Sequence, residues 1–132
     1  MDAHQKFILI DDDPNQNILN KIIIRKSFGR STDVISFSDA EEGVQFIETE
    51  YALHPTPAVL FLDINMPTLT GWEVLKKLHR VMVEVIRSSL RIYIISSSID
   101  PRDRQRADDD PIVTGYIEKP ITMETLLSYY IH

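Results

Sequence analysis

The chain has 132 residues, 43% of them hydrophobic, and no cysteine, which suits one domain with its own core and excludes a disulfide framework, a thiolate metal site and a cysteine nucleophile. Its net charge of −6 is the opposite of the basic footprint that duplex binding needs, so direct nucleic-acid binding is disfavoured. No apolar stretch is long enough for a signal peptide or a membrane span, and a soluble, unprocessed cytoplasmic protein is expected.

A polar start, Met1 to Lys6, leads into the first predicted strand at 7–10, which ends in Asp11-Asp12-Asp13. Asp13 caps the first predicted helix, Pro14 takes its first position, and Ile18, Leu19, Ile22 and Ile23 are expected to form its buried stripe. A second strand at 34–37 precedes a capping box of Ser38 and Glu41, with Val44 and Ile47 on the buried face of the second helix. The third strand, 58–62, is apolar without a break, as a strand buried on both faces of a parallel sheet would be, and Asp63 ends it.

Thr70 and Glu73 form another capping box, opening a third helix with Val74, Leu75, Leu78 and Met82 inward. The length of 81–91 predicts that this helix extends further than usual. Trp72 is expected to pack near its start. The fourth strand, 92–95, runs into Ser96-Ser97-Ser98. Asp100-Pro101 then starts a fourth helix whose Arg102, Arg104 and Arg106 are answered by Asp100, Asp103 and Asp108 to Asp110, a solvated mixed-charge face. With almost no apolar stripe, 101–110 should be the least stable helix and the most mobile part of its face. The fifth strand, 112–117, leads to Lys119-Pro120. Thr122 caps a fifth helix carrying Leu126, Leu127, Tyr130 and Ile131. His4, His54, His79 and His132 show no metal-ligand spacing and are expected to be exposed.

Five strands alternating with five helices predict a doubly wound α/β domain spanning residues 1–132, its strands parallel and its helices on both faces. In such a sheet ligands bind beyond the carboxyl ends of the strands. Asp11 and Asp12, Asp63, Ser96 and Lys119 all fall there. Each alone has an ordinary explanation as a turn former, a cap or a surface residue, but together they define one pocket. Carboxylates about 4 Å apart repel by about 4 kcal/mol per pair at an effective dielectric near 20, so the cluster needs a cation. Hard oxygen ligands favour Mg²⁺, and the chemistry that fits is phosphoryl transfer to a carboxylate. Lys119 would supply positive charge and Ser96 a hydroxyl to the phosphoryl oxygens.

These residues closely resemble the receiver domain of two-component response regulators. Phe-Ile-Leu-Ile-Asp-Asp-Asp-Pro at 7–14 is similar to that family's first strand and acidic pair, and Leu-Asp-Ile-Asn-Met-Pro at 62–67, followed by Gly71, to its phosphoacceptor segment. Ser96 stands at its switch serine/threonine, and Glu-Lys-Pro at 118–120 matches its lysine-proline motif. The resemblance covers essentially the whole chain. It implies the flavodoxin-like strand order 2-1-3-4-5 and a single-domain switch similar to the chemotaxis regulators.

It further implies that Asp63 accepts a phosphoryl group from a sensor histidine kinase or a histidine phosphotransfer protein. Asp12 would bind Mg²⁺ directly, Asp11 through water, and Asn65 through its backbone carbonyl. Ser96 and Lys119 would contact the phosphoryl group, Tyr116 would be the rotating aromatic, and the Lys119–Pro120 bond would be cis. Asn65 and Ser98 lie where side-chain identity tunes the phosphoryl lifetime. Output is expected through the face of the fourth helix, fifth strand and fifth helix, onto an unidentified partner, from a monomer or a phosphorylation-dependent dimer. The chain stops soon after the fifth helix begins; if it is the complete protein, output is expected through a binding face rather than an attached output domain. Two rivals are weaker. A haloacid-dehalogenase-type phosphatase would use Asp11 and Asp13 but leaves Asp63 unexplained and lacks a cap insertion, so a true enzyme is not expected. A receiver that has lost phosphorylation would not retain all of these residues.

Overall fold

The Ile- and Val-rich runs form strands because β-branched side chains suit a pleated surface packed on both sides. In the computed structural model, which describes residues 6–67 and 69–130 apart from the side chains of Val85, Tyr129 and Tyr130, five such runs pair into one parallel sheet. They are β1 (Lys6–Ile10), β2 (Asp33–Phe37), β3 (Ala58–Asp63), β4 (Leu90–Ser96) and β5 (Val113–Glu118), in the order β2-β1-β3-β4-β5. This is the doubly wound arrangement expected from the alternation, in the flavodoxin-like strand order that the resemblance implied.

Among the described residues six helices rather than five accompany the strands: α1 (Pro14–Phe28), α2 (Ala40–Phe46, continued by a π-helical turn at Ile47–Tyr51), α3 (Gly71–His79), α4 (Glu84–Ser89), α5 (Pro101–Asp109) and α6 (Met123–Tyr130). The extra one corrects the expectation of a long third helix. After His79 the chain tightens, with the Arg80 and Val81 amides donating to Lys77 and Leu78, and a separate short helix then buries Ile86. Met82 therefore packs against the core from a loop rather than from α3.

Alternation along each strand sends side chains to two separate cores. Ile8, Ile10, Leu60, Leu62, Ile92 and Ile94 meet Val44, Leu75, Leu78, Ile86 and Ala107, so α2 to α5 cover one face. Phe7, Leu9, Val59, Phe61, Tyr93 and Ile95 meet Ile24 and Leu126, so α1 and α6 cover the other. Among the described residues no helix is long and apolar enough to cross a membrane.

The helices differ in how they are held. α3 has its Thr70–Glu73 capping box and buries Val74, Leu75 and Leu78. α5 buries only Ala107. Arg104 lies over the Tyr116 ring at 4.8 Å and Arg106 over Trp72 at 4.5 Å, contacts worth about 0.5–1 kcal/mol each at exposed sites. Asp110, after its last turn, meets His79 at 2.9 Å, so that exposed histidine has a partner.

α1 reverses the expected orientation. Its buried side chains are Asn17, Asn20 and Ile24, while Ile18, Leu19 and Ile22 are 56%, 52% and 47% exposed and Ile23 is half-buried. Leu126 of α6 is buried and Leu127 is at the surface, while Ile131 and the Tyr130 side chain lie outside the described residues, as do His4 and His132.

The second helix is capped by Asp39, whose carboxylate accepts from the Glu41 amide at 2.9 Å, and not by Ser38. Both residues are exposed, so truncation tests the cap without disturbing the core. Asp39→Ala should lower the unfolding free energy by about 1 kcal/mol and Ser38→Ala by much less, measured by urea denaturation. Equal losses would reject Asp39 as the cap.

Candidate functional site

Strand register brings the chemistry together. Ile10 pairs with Leu62, so Asp11, one residue on, lies level with Asp63. Asp63 pairs with Ile95, placing Ser96 one step beyond, and Ser96 pairs with Glu118, placing Lys119 next. The Lys119 amide donates to the Ser96 carbonyl at 2.8 Å, and the Lys119–Pro120 peptide bond is cis. Four residues spread across the sequence thus share one edge of the sheet.

Asp11, Asp12 and Asp63 bring carboxylate oxygens within 4.8 Å of one another. Asp12 is exposed, whereas Asp11 and Asp63 are each 5% exposed. The Lys119 ammonium bridges the two buried carboxylates, 3.2 Å from Asp11 Oδ2 and 3.5 Å from Asp63 Oδ1. One ammonium against three carboxylates leaves the cluster negative. Burial pushes the Asp63 carboxyl up from 3.8 to about 6; the Asp11 charge adds to the rise, and Lys119 and the Asn65 N–H oppose it. Burial alone would depress Lys119, but the charges of Asp11 and then Asp63 outweigh it and hold the ammonium above its ordinary value.

The loop after β3 is fixed from below and from the side. Ile64 and Met66 are buried while Asn65 is exposed, its amide donating to Asp63 Oδ1 at 3.3 Å. Gly71 opens α3 directly against this backbone, its amide donating to the Ile64 carbonyl at 3.0 Å. A Cβ there would come within 2.6 Å of Ile64 Cα and 2.7 Å of the Asp63 carbonyl oxygen. Only glycine allows that approach without moving the Asp63 loop.

Sequence reasoning missed Asn17. Its buried amide donates to the Asp11 carbonyl at 2.9 Å and to the Phe37 carbonyl at 3.4 Å, tying α1 to the ends of β1 and β2 under the acidic pair. The available signal was an amide interrupting an Ile-rich helix. Asp13 is exposed, its carboxylate occupied as the cap of α1, while its amide donates to Asp11 Oδ1 at 3.0 Å. The carboxylate cluster is Asp11, Asp12 and Asp63, without Asp13.

Ser96 points to the other side of the sheet. It has the strand parity of Ile92 and Ile94, is 0% exposed, and its Oγ accepts from the Ser98 amide at 2.9 Å. Tyr116 is buried on the same side, its hydroxyl 3.5 Å from the Ser98 carbonyl.

Comparison with known proteins agrees with this geometry. The sequence model of the response regulator receiver domain matches residues 7–130. A two-component response regulator from Cytophaga hutchinsonii is 31% identical, covering 98% of this chain and 96% of its own, with a TM-score of 0.85. A response regulator receiver protein from Dyadobacter fermentans is 25% identical over 96% of this chain and 98% of its own, with a TM-score of 0.80. The CheX-CheY-BeF3-Mg complex from Borrelia burgdorferi shares the fold at 18% identity over 96% of this chain and 86% of that one, with a TM-score of 0.74.

The raised Asp63 value has a consequence for stability. Its folded value lies above its unfolded one, so ionising it costs stability: nothing below about pH 4, progressively more to about pH 6, and fully above. The shift of about two units corresponds to about 3 kcal/mol as an upper bound. Without divalent metal, Asp63→Asn should therefore be about 1–3 kcal/mol more stable than wild type at pH 7.5, with the gap closing at pH 4. Urea midpoints at the two pH values test this, and coincident midpoints at pH 7.5 would reject the buried-charge cost.

Proposed function

The chain belongs to the response regulator receiver domain family, and from that premise we propose that it is a two-component signalling switch in which Asp63 accepts the phosphoryl group. The observation that carries this reading is the convergence of Asp11, Asp12 and Asp63 with Lys119 between two of them. The donor set fits Mg²⁺: three hard carboxylates are present, and no soft ligand is among them. Opposite ligands of an octahedral Mg²⁺ are about 4.2 Å apart, so a 4.8 Å cluster accommodates it with a small closure or with one carboxylate acting through water. We assign Asp12, Asp63 and the Asn65 carbonyl as direct ligands and Asp11 as the water-mediated one. When bound, Mg²⁺ would neutralise the carboxylates and polarise the phosphoryl oxygens.

The chain's own residues supply the rest. An Asp63 carboxylate oxygen attacks phosphorus, forming the acyl phosphate as the donor's P–N bond breaks. Lys119, already 3.5 Å from Asp63, moves its charge onto a phosphoryl oxygen, and the Ser96 hydroxyl donates to another. Tyr116, buried with its hydroxyl 3.5 Å from the Ser98 carbonyl, would be the aromatic that turns with this rearrangement. Output then passes through α5, β5 and α6.

A histidine kinase or histidine phosphotransfer protein is the donor we favour. α1 begins two residues after Asp12 and turns Ile18, Leu19 and Ile22 outward, an apolar helix face beside the pocket that suits a helical protein. The Borrelia burgdorferi structure of the same fold is itself a complex with a second protein. A cytoplasmic location follows from such a donor.

Incubation with acetyl phosphate and Mg²⁺ should add one phosphoryl group to the wild type by intact mass, none to Asp63→Asn, and none to the wild type after chelation. Labelling that survives Asp63→Asn would sink this assignment. Replacing Ile18 and Ile22 together by Glu should slow transfer from a phosphorylated histidine phosphotransfer protein by about tenfold or more, the factor that 1.4 kcal/mol of lost docking gives. Acetyl-phosphate labelling of the same variant should remain normal. Equal loss with both donors would reject α1 as the docking face.

A further inference from the structure

We propose that the free edge of β2 is a further interaction surface, and that its partner is an extended segment with basic residues on either side of an apolar one.

A sheet edge is either blunted or open to a further strand. The β5 edge is blunted by a register shift against β4 between Ile92 and Tyr93, and its end, Glu118, is paired with Arg104 at 3.8 Å. β2 carries neither device. Its five residues pair with β1 without a shift, and the run Asp-Val-Ile-Ser-Phe contains no lysine, proline or glycine. In a parallel ladder a strand bonds to each neighbour through every second residue. The Phe37 carbonyl accepts from the Asp11 amide at 3.1 Å, so Asp33, Ile35 and Phe37 bond toward β1. The N–H and C=O groups of Val34 and Ser36 therefore point away from the sheet.

Beside that edge runs a groove of about 300 Å³, between β2 and α2 with its π-helical turn. Ile35, Phe37 and Phe46, all half-buried, give it an apolar lining, the two rings 5.3 Å apart. Glu42 and Glu50 line it too, both exposed and without an ion-pair partner among the described residues. A strand added to β2 would bond to Val34 and Ser36 and send alternate side chains to this side of the sheet.

Spacing sets the pattern of that segment. Glu42 and Glu50 are separated by about 12 Å of helix, and four strand residues span about 13 Å. Basic side chains four residues apart thus meet both carboxylates, with an apolar side chain midway against Ile35, Phe37 and Phe46. The same charges argue against a second copy of this chain. Joining two β2 edges about a two-fold axis puts both α2 helices on one face, bringing the glutamates of the two copies together. The net charge of −6 adds to that repulsion.

Titrating the peptide acetyl-Thr-Lys-Thr-Val-Thr-Lys-Thr-amide into the full chain, followed by ¹⁵N–¹H spectra, tests this. At saturation the Val34 and Ser36 amide protons should move downfield and exchange about tenfold more slowly, the factor expected for one gained hydrogen bond, with no change along β5. N-methylation of one alternate set of peptide residues should abolish binding and of the other set leave it, as one-sided strand bonding requires. Ser36→Pro removes an outward N–H without touching the ladder to β1, and it should also abolish binding. Glu42→Lys with Glu50→Lys should weaken it by about tenfold, and a peptide with glutamate in place of lysine should not bind. An unperturbed Val34 and Ser36, equal binding by the glutamate peptide, or tolerance of both methylated sets would each overturn the proposal. Shifts of the same two amides that grow with protein concentration in the absence of peptide would assign the edge to a second copy and overturn it as well.

Discussion

Everything at this site depends on holding two buried carboxylates side by side. Asp11 and Asp63 share one edge of the sheet with a third, exposed carboxylate, and the chain's immediate counter-charge is a single ammonium. Such a cluster is unstable in isolation, and burial together with the Asp11 charge pushes the Asp63 carboxyl up accordingly. The fold answers by making the surroundings stiff. β1 and β3 lie at the centre of a fully parallel sheet, buried on both faces, and Asn17 and Gly71 brace the loops beyond them. Stability spent at the pocket is recovered in the core, as in other sites that tune a carboxylate by burial.

Strand parity then separates chemistry from response. Asp63 has the parity of Val59 and Phe61, facing the side covered by α1 and α6; Ser96 has that of Ile92 and Ile94, facing α5. The hydroxyl proposed to sense the phosphoryl group thus starts on the opposite side of the sheet from the carboxylate proposed to carry it. In the present structure the Ser96 Oγ is held by the Ser98 amide at 2.9 Å. A one-residue shift in the β3–β4 register would abolish this arrangement while leaving both cores apolar. The pairing Asp63 with Ile95 is therefore as much a part of the proposed switch as the side chains themselves.

Much of this was legible in the sequence, and the failures have a common cause. The strands, their parallel pairing and the acidic edge followed from apolar runs ending in polar residues, while the strand order came from the resemblance. Helix periodicity put Ile18, Leu19, Ile22 and Ile23 on one buried stripe of α1, but of these only Ile23 packs against the core. Ile18, Leu19 and Ile22 lie outward because Asn17 is required inside, where the carbonyls at the ends of β1 and β2 need a donor. Nothing local reports that need, since Phe37 is twenty residues away. Ser38 and Asp39 are both good caps, and only backbone geometry chooses between them. The break after His79 was missed because 81–91 retains apolar spacing through a turn. Ser98 stood out only for its place after Ser96; its hydroxyl's bond to Asp103 Oδ2 at 2.6 Å had no local signal, because Asp103 looked like one charge among many.

The two surfaces that remain differ in kind, and the difference fits their places. α1 is a long helix anchored through Asn17, Asn20 and Ile24, so it can present an exposed apolar face without losing its position. A docking surface for a donor needs that rigidity, because an in-line transfer tolerates little error in the approach of the phosphoryl group. α5 is the reverse: nearly devoid of buried apolar surface, tethered by polar bonds at both ends, and therefore displaceable by a change worth no more than one or two hydrogen bonds. A phosphoryl group supplies interactions of that size. Had α5 been anchored as firmly as α3, the same chemistry at Asp63 would have had nothing soft enough to move.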